Sequence, residues 1–470
     1  MGFGGYFLSA LKALYVNDSV DCMVNGLLTM PIYLRRGLRQ GCALSPMLFA
    51  LYISEIGNDI TSSDLGFKVG VVSISGLLFA DDIVLVTRTA EGLKTLLDKV
   101  KHGFDRLRLV ISHDKSQIIS PDDIDWNLVD HKTMEEKTLR QVSLYKYLGV
   151  WTYNSMQKTG SEKQKLCVKT AHKYKGSCIH VSRMGPDIVE VIQCTWMNVA
   201  VPAILNGCDF LPFCDTRIAE IERIQAQVAK FALGLPASSP NFCAQTELGW
   251  KSFRQMLYER QIKFYFRVLF LDEKRWVHQA LRDHMAGTWM SPYLAYISAI
   301  RSKLGIFSAP YQPALWKRQS YQYFLSLTNA TISSSWWLKP LDGFVRLPYV
   351  CESKWSTTIS EFRLGCEGLG NKQPLKNHNR KPWCPVCPYH RQPNNGHHLL
   401  FICCSLTALR RETGITSFLT SCSLKNIGSM EAYSLFISGF DSFKKPISVS
   451  AFFERAKCMY DMRELWLSKW

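Results

Sequence analysis

"GLLFADDIVLV", Gly76 to Val86, sets two adjacent carboxylates, Asp81 and Asp82, between two short apolar runs rich in strand-forming residues. Unit negative charges about 4 Å apart repel by roughly 4 kcal/mol at the effective dielectric of a protein surface. Asp also suits a hairpin tip with no further role, because its side chain hydrogen-bonds its own backbone. The alternative is a divalent cation, since hard ions such as magnesium take oxygen ligands and offset the repulsion. The rest of the chain decides between the two.

The chain has 470 residues, enough for several domains and a sizeable core. With 47% hydrophobic and 12% aromatic residues it is globular in composition. The 56 Lys and Arg against 39 Asp and Glu give a net charge of +17, which suits a polyanion better than a neutral small molecule. Nucleic acid is the leading candidate, an anionic membrane surface the weaker one. No apolar run is expected to approach the ~20 residues of a bilayer span, and "LLFICC" from Leu399 is far too short. "MGFGGY" reads neither as a signal peptide nor as a myristoylation site, which needs Ser or Thr at its sixth position. The expectation is an intracellular protein, nuclear or cytoplasmic, that does not use a membrane. Its 16 cysteines are then reduced thiols or metal ligands. The sequence does not indicate an oligomeric state.

Outward from the hairpin, "YFLSALKALY" places Phe7, Leu11 and Leu14 at spacings of four and three, a helix expected to bury one face. A domain seldom opens on a core helix, so the frame is expected to begin inside a domain. A loop with Gly37 and Gly41 leads into "SPMLFALYISEI", where Ser45 is the expected N-cap, Pro46 the first helical residue, and Leu48, Tyr52 and Ile56 the recurring face. The hairpin turns at Ala80 to Asp82, the amphipathic "TAEGLKTLLDKVKHGFDRL" follows, and short strand-like pieces complete an α+β layer of about 150 residues.

The pattern then becomes helical. "SEKQKLCVKTAHKYK" carries Lys163, Lys165, Lys169, Lys173 and Lys175, a basic face that is either solvated or tracks a phosphate backbone. In "DTRIAEIERIQAQVAKFALGLP", Asp215 is the expected N-cap, Ile218, Ile221, Val228 and Phe231 one face, and Gly234 with Pro236 the stop. "MLYERQIKFYFRVLF" reads as an aromatic-rich core helix.

"RRGLRQGCALSPMLFALYI", "LLFADDIVLV", "LVISHDKSQII" and "YKYLGV", in this order and at these distances, resemble the later palm motifs of reverse transcriptases of non-LTR (LINE-type) retrotransposons. The resemblance continues through "FALGLPASSPNFCAQTELGW" to the cysteines near Cys384 and covers roughly three quarters of the chain. It implies an α+β fold with four parts: a truncated palm over 1–155, a helical thumb and following region over 156–270, a helical connection over 271–365 and a zinc-knuckle-like module over 366–470.

The resemblance also implies roles. Arg39, Gln40 and Gly41 lie beside the nascent base pair, where glycine lets the backbone approach the nucleotide. Phe79 is the aromatic position before the acids, and Asp81 with Asp82 binds magnesium. Lys115 aligns with a lysine near the triphosphate, and Leu148 with Gly149 matches the hairpin that grips the primer end. Phosphoryl transfer of this kind uses two metal ions about 3.5–4 Å apart. In the family a further aspartate comes from an earlier A-F-D strand, which this chain is expected to lack along with the fingers. Asp18 and Asp21 match a later segment and are not expected to replace it. The resemblance therefore implies an RNA-directed DNA polymerase acting on an RNA template and a DNA primer or target, inactive as this chain alone. The competing reading is a non-catalytic nucleic-acid-binding derivative of such an element.

"WCPVCPYHRQPNNGHHLLFICCSL" sets Cys384 and Cys387 as C-x2-C, with His398 and Cys403 as H-x4-C further on. Thiolates and imidazole in a closed tetrahedron fit structural zinc, and buried thiols of a cysteine-rich chain are the alternative. His397 and Cys404 are neighbouring candidates for the same positions. Lys372, Lys376, Arg380, Lys381 and Trp383 precede or abut the site, a mix of charge and stacking face that suits nucleic acid.

Overall fold

The computed structural model describes residues 4–306 except 17, 35–36, 70–71, 121–123, 131–134, 154–155, 183–187, 240 and 287–291, and beyond these 397–402, 406–412, 415, 436, 454–455 and 457–462. The chain divides into two compact units, Met1–Val142 and Ser143–Trp470.

The first unit mixes helices and strands. Helix α1 (Gly5–Tyr15) is followed by β1 (Ser19–Val20), β2 (Met23–Val24), β3 (Leu27–Leu28) and β4 (Ile32–Tyr33), then α2 (Ser45–Thr61). Next come β5 (Phe67–Val69), β6 (Val72–Ile74), β7 (Gly76–Phe79) and β8 (Asp82–Leu85), then α3 (Ala90–Arg106). The unit closes with β9 (Gln117–Ile118), β10 (Asn127–Asp130), β11 (Glu135–Thr138) and β12 (Arg140–Gln141). The strands form two-stranded ladders, antiparallel except for β9 with β12.

Helix α1 forms where its periodicity predicts, but none of its residues is buried and Phe7 is 57% exposed, so it does not pack one face into a core as expected. Helix α2 buries Ile53, Ile56 and Ile60 in place of the expected Leu48–Tyr52–Ile56 line. The reason is what α2 packs on: Ile56 and Ile60 meet Val100 of α3, with Ile83, Leu85 and Phe104 around them. Tyr52 stays on the surface, and its hydroxyl donates to the Leu107 carbonyl (2.6 Å). Helix α3 forms in the stretch expected to be an amphipathic helix, and Thr89 caps it, its Oγ1 accepting from the Gly92 backbone N–H (3.1 Å). A second small core joins Ile118, Ile124, Trp126 and Leu139, and Trp126 Nε1 donates to Asp98 Oδ1 (2.8 Å).

The second unit opens with the hairpin β13 (Leu144–Tyr147) and β14 (Val150–Tyr153). Helices follow: α4 (Met156–Val181), α5 (Ile188–Gln193), a π-helical stretch (Cys194–Ala200), α6 (Val201–Leu205), α7 (Asp215–Ala232), α8 (Asn241–Glu247), α9 (Phe253–Leu269), α10 (Trp276–Ala286) and α11 (Pro292–Leu304). A short π-helical turn (His398–Ile402) and α12 (Thr407–Glu412) come last. One large core holds Trp196, Ile218, Ile221, Phe253, Phe266 and, from the far carboxy-terminal part, Leu400, Phe436 and Met459.

Three expectations are corrected here. Asp215 is the first residue of α7, not its cap; Cys214 precedes it in extended conformation, and Asp215 instead pairs with Arg254. Phe231 lies off the buried face of α7 at 41% exposure, because the inner stripe runs Ile218, Ile221, Ile224 and Val228. Gly234, at φ 65°, does end that helix. Third, one helical run, Ile188–Leu205, is long and apolar enough to cross a membrane, with mean hydropathy 1.6. Its Val189, Ile192, Trp196, Ala200 and Ile204 form one stripe in the core, as in a core helix of a globular protein.

Candidate active site

The acidic hairpin is held from below by glycines. A Cβ at Gly76 would stand 2.7 Å from Ile60 Cγ2, and one at Gly57 would stand 3.4 Å from Leu78, so the β7–β8 ladder lies close on α2. Phe79 pairs with Asp82, leaving Ala80 and Asp81 as a two-residue turn. Ala80 takes φ 51°, a left-handed conformation that costs a non-glycine residue roughly 1–2 kcal/mol. Asp81 and Asp82 are both exposed.

Asp81 lines a cleft of about 1290 Å³ whose walls include Leu11, Lys12 and Tyr15 of α1, the loop from Gly37 to Cys42, the start of α2, and Leu107 to Leu109 after α3. Arg39, Gln40 and Gly41 thus line the same cleft as Asp81. Gly41 adopts φ 86°, and a Cβ there would meet nothing within 4 Å, so glycine serves the backbone angle and faces open space.

Ser45 does not cap α2. It is the first helical residue, and its hydroxyl donates to the Arg39 carbonyl (2.6 Å), closing the loop onto the helix. Arg39 Nε donates to Asp18 Oδ2 (2.8 Å), and Nη2 to the Leu14 carbonyl (2.8 Å). That hydrogen bond to Asp18 raises the Arg39 pKa above its ordinary value. The Cys42 thiol is held low by the Leu44 backbone hydrogen bond, with Ser45 and the Arg39 charge adding to it.

The other expected positions fall elsewhere. Phe79 is 62% exposed at the end of β7, and Lys115 is exposed on a single 3-10 turn, His113–Lys115; neither is among the residues lining the cleft. Leu148 and Gly149 form the tight turn of β13–β14 in the second unit, at φ 45° and 81°. Two central residues at positive φ are what a type I′ hairpin requires. Of the cysteine cluster, Cys384, Cys387, Cys403 and the alternate Cys404 lie outside the described residues. His398 is buried in the second unit.

Sequence reading missed Asp18, Tyr52 and Arg108. Arg108 takes φ 52° just after α3 and lines the cleft. The signal for it was the lack of glycine after a helix whose stop normally wants one. Asp18 and Tyr52 had no local signal, because their partners are 21 and 55 residues away.

Two exposed carboxylates on a hairpin tip are oxygen donors suited to magnesium. Among the described residues, however, no group of three or more His, Cys, Asp or Glu side chains is placed to hold a metal ion. Of the two carboxylates only Asp81 is among the residues lining the cleft.

The turn of the acidic hairpin and the glycine-turned R-Q-G loop thus line one cleft. The family described as "Reverse transcriptase (RNA-dependent DNA polymerase)" matches residues 6–152, and the relatives that match the chain are polyproteins of R2 retrotransposable elements. The chain is 33% identical over 129 residues to the "Retrovirus-related Pol polyprotein from type-1 retrotransposable element R2" of Nasonia vitripennis, covering 26% of this chain and 12% of that protein. It is 39% identical over 80 residues to the "Retrovirus-related Pol polyprotein from type-2 retrotransposable element R2DM" of Drosophila melanogaster, covering 17% of this chain and 8% of that one. A type-1 R2 polyprotein of Popillia japonica is 31% identical over 86 residues, 18% and 14% of the two chains. The matches thus span a small part of these relatives' length.

Proposed function

We propose that the chain contributes the hairpin and R-Q-G part of a retrotransposon RNA-directed DNA polymerase, with an RNA template and a DNA primer as substrates and magnesium on Asp81 and Asp82. The observation that carries this is the single cleft shared by Asp81 and the Arg39–Gly41 loop. When bound, magnesium would supply charge neutralisation for the transferring phosphoryl group. With two carboxylates at the tip and no third donor clustered with them among the described residues, we expect no synthesis from these 470 residues alone.

Primer extension on an RNA template tests this, run on the chain and on the chain fused to a family segment bearing the fingers and the A-F-D strand. Extension from the fusion only, lost again on Asp81→Asn, is expected. A fusion that binds template–primer but never extends it would favour the second reading, a non-catalytic nucleic-acid-binding protein. That reading draws on the net charge of +17 and the exposed Lys165, Lys169 and Lys173 of α4.

We also propose one structural zinc on Cys384, Cys387, His398 and Cys403, on the strength of their spacing. Zinc content should fall from about one per chain to none in Cys387→Ser. Equal content in both proteins would refute it.

A further inference from the structure

We propose that Arg39 is a positioning residue and not a phosphate ligand: Asp18 clamps its guanidinium at the end of α1 so that the Gln40–Gly41 backbone stays open toward the template–primer. The inference rests on the polymerase reading of the cleft.

The clamp has two sides. Behind the loop, Arg39 Nε meets Asp18 Oδ2 and Nη2 meets the Leu14 carbonyl, both at 2.8 Å, with the Tyr15 ring 5.9 Å from the guanidinium carbon. The Asp18 side chain is only 7% exposed, and its own carbonyl accepts from Leu34 N–H (2.7 Å) beside the β1–β4 ladder. A carboxylate so enclosed needs its cation, because removing one partner of such a pair leaves an uncompensated charge. In front, the Arg39 carbonyl accepts from Ser45 Oγ at 2.6 Å.

The next two residues are tied differently. Gln40 is exposed, with no side-chain hydrogen bond seen among the described residues, and a Cβ on Gly41 would meet nothing within 4 Å. For Arg39 to turn its Nε–Nη2 edge to a phosphate, it would have to give up Asp18 and Leu14 together. Lys12 and Arg108 line the same cleft without an ion pair among the described residues, and they are the cations left for phosphate.

Cys42 reports on the loop without requiring catalysis. It lines the cleft three residues after Arg39, and the charged or titratable groups on the walls around it are Lys12, Tyr15, Arg39, Tyr52, Asp81 and Arg108. The full chain, Asp18→Asn and Arg39→Lys would be treated with iodoacetamide across a range of pH, with and without an RNA–DNA duplex, and modification at Cys42 read by peptide mass. Circular dichroism melting confirms that each variant is folded.

In Asp18→Asn the Cys42 profile should move to higher pH and duplex protection should be lost. Arg39→Lys, which keeps the charge but not the fork, should fall between. A wild-type profile with wild-type protection in Asp18→Asn would overturn the clamp. So would stronger protection in Asp18→Asn, the result expected if a freed Arg39 were the phosphate ligand. A profile shift in Asp18→Asn with no duplex protection even in the wild type would support the clamp and overturn the polymerase reading of the cleft.

Discussion

Gly66 lies flat against the backbone of Ile74: a Cβ at Gly66 would stand 2.4 Å from both the carbonyl carbon and the carbonyl oxygen of Ile74. Gly66 immediately precedes β5, so that approach closes the end of the β5–β6 ladder where Phe67 pairs with Ile74, two residues before the hairpin that carries Asp81. Backbone cannot step aside as a flexible side chain does, so Gly66→Ala should cost about 1–3 kcal/mol, the usual range for forced overpacking. Urea unfolding of the two proteins would show it. An unchanged midpoint would mean that β5–β6 shifts freely and does not fix the hairpin.

In the second unit, Asp215 and Glu222 oppose each other with pH. The Arg254 hydrogen bond holds the Asp215 carboxyl below its ordinary range, whereas burial pushes Glu222 above its own. Stability from Asp215 is present above the unfolded pKa of about 3.9 and is lost as pH falls through the lower folded value. For Glu222 the folded state holds the proton longer, so stability falls as pH rises from about 4.3 through the raised folded value. Glu222 Oε1 accepts from the Arg254 backbone N–H (3.2 Å), and a glutamine oxygen can do the same. Glu222→Gln should therefore stabilise the protein at pH 7 and change little at pH 4. Asp215→Asn should lose stability at pH 7, by no more than about 1 kcal/mol because Asp215 is largely exposed, and match wild type in strong acid. Chemical denaturation at the two pH values separates the pair; equal shifts at both would contradict the assignment.

What the sequence disclosed was local. The β7–β8 hairpin, the amphipathic α3 and the Gly234 stop followed from period and stop chemistry within one element. The misses came where a distant partner chose the outcome. Ser45 was free to cap α2 by sequence alone, but its hydroxyl went to Arg39. Lys163 looked like one of five lysines on an outer face, yet it turns inward at 3% exposure beside the Cys167–Cys208 thiol pair, whose sulfurs are 3.7 Å apart. The R-Q-G loop and the acids could be named from motifs, but the Asp18 clamp behind them needed coordinates.

Arg108 occupies the left-handed position after α3, where its N–H donates to the Asp105 carbonyl (3.1 Å) and that of Leu109 to Phe104 (2.8 Å). An arginine there is strained by roughly 1 kcal/mol relative to glycine. Arg108→Gly should raise the thermal midpoint slightly while weakening RNA–DNA duplex binding, since the cleft loses a cation. A variant that is both less stable and binds as before would show that the residue serves helix termination alone.

The lysines of α4 give the sharpest test of phosphate binding. Lys165, Lys169 and Lys173 recur every fourth residue and are exposed. Lys165 is shared with Glu162 (2.6 Å), and Lys175 donates to Gln227 Oε1 (2.7 Å). Removing one lysine that neutralises a phosphate should lower the slope of log affinity against log salt by about 0.9 on a duplex. Lys169→Gln with Lys173→Gln should thus flatten the slope by nearly two units between about 50 and 200 mM salt, with little preference for sequence. Lys163→Gln is the control: being buried, it should leave the slope unchanged and act on stability. A double variant with the wild-type slope would remove α4 from the nucleic-acid surface, and a Lys163 effect on the slope would show that the helix turns its other face to the phosphates.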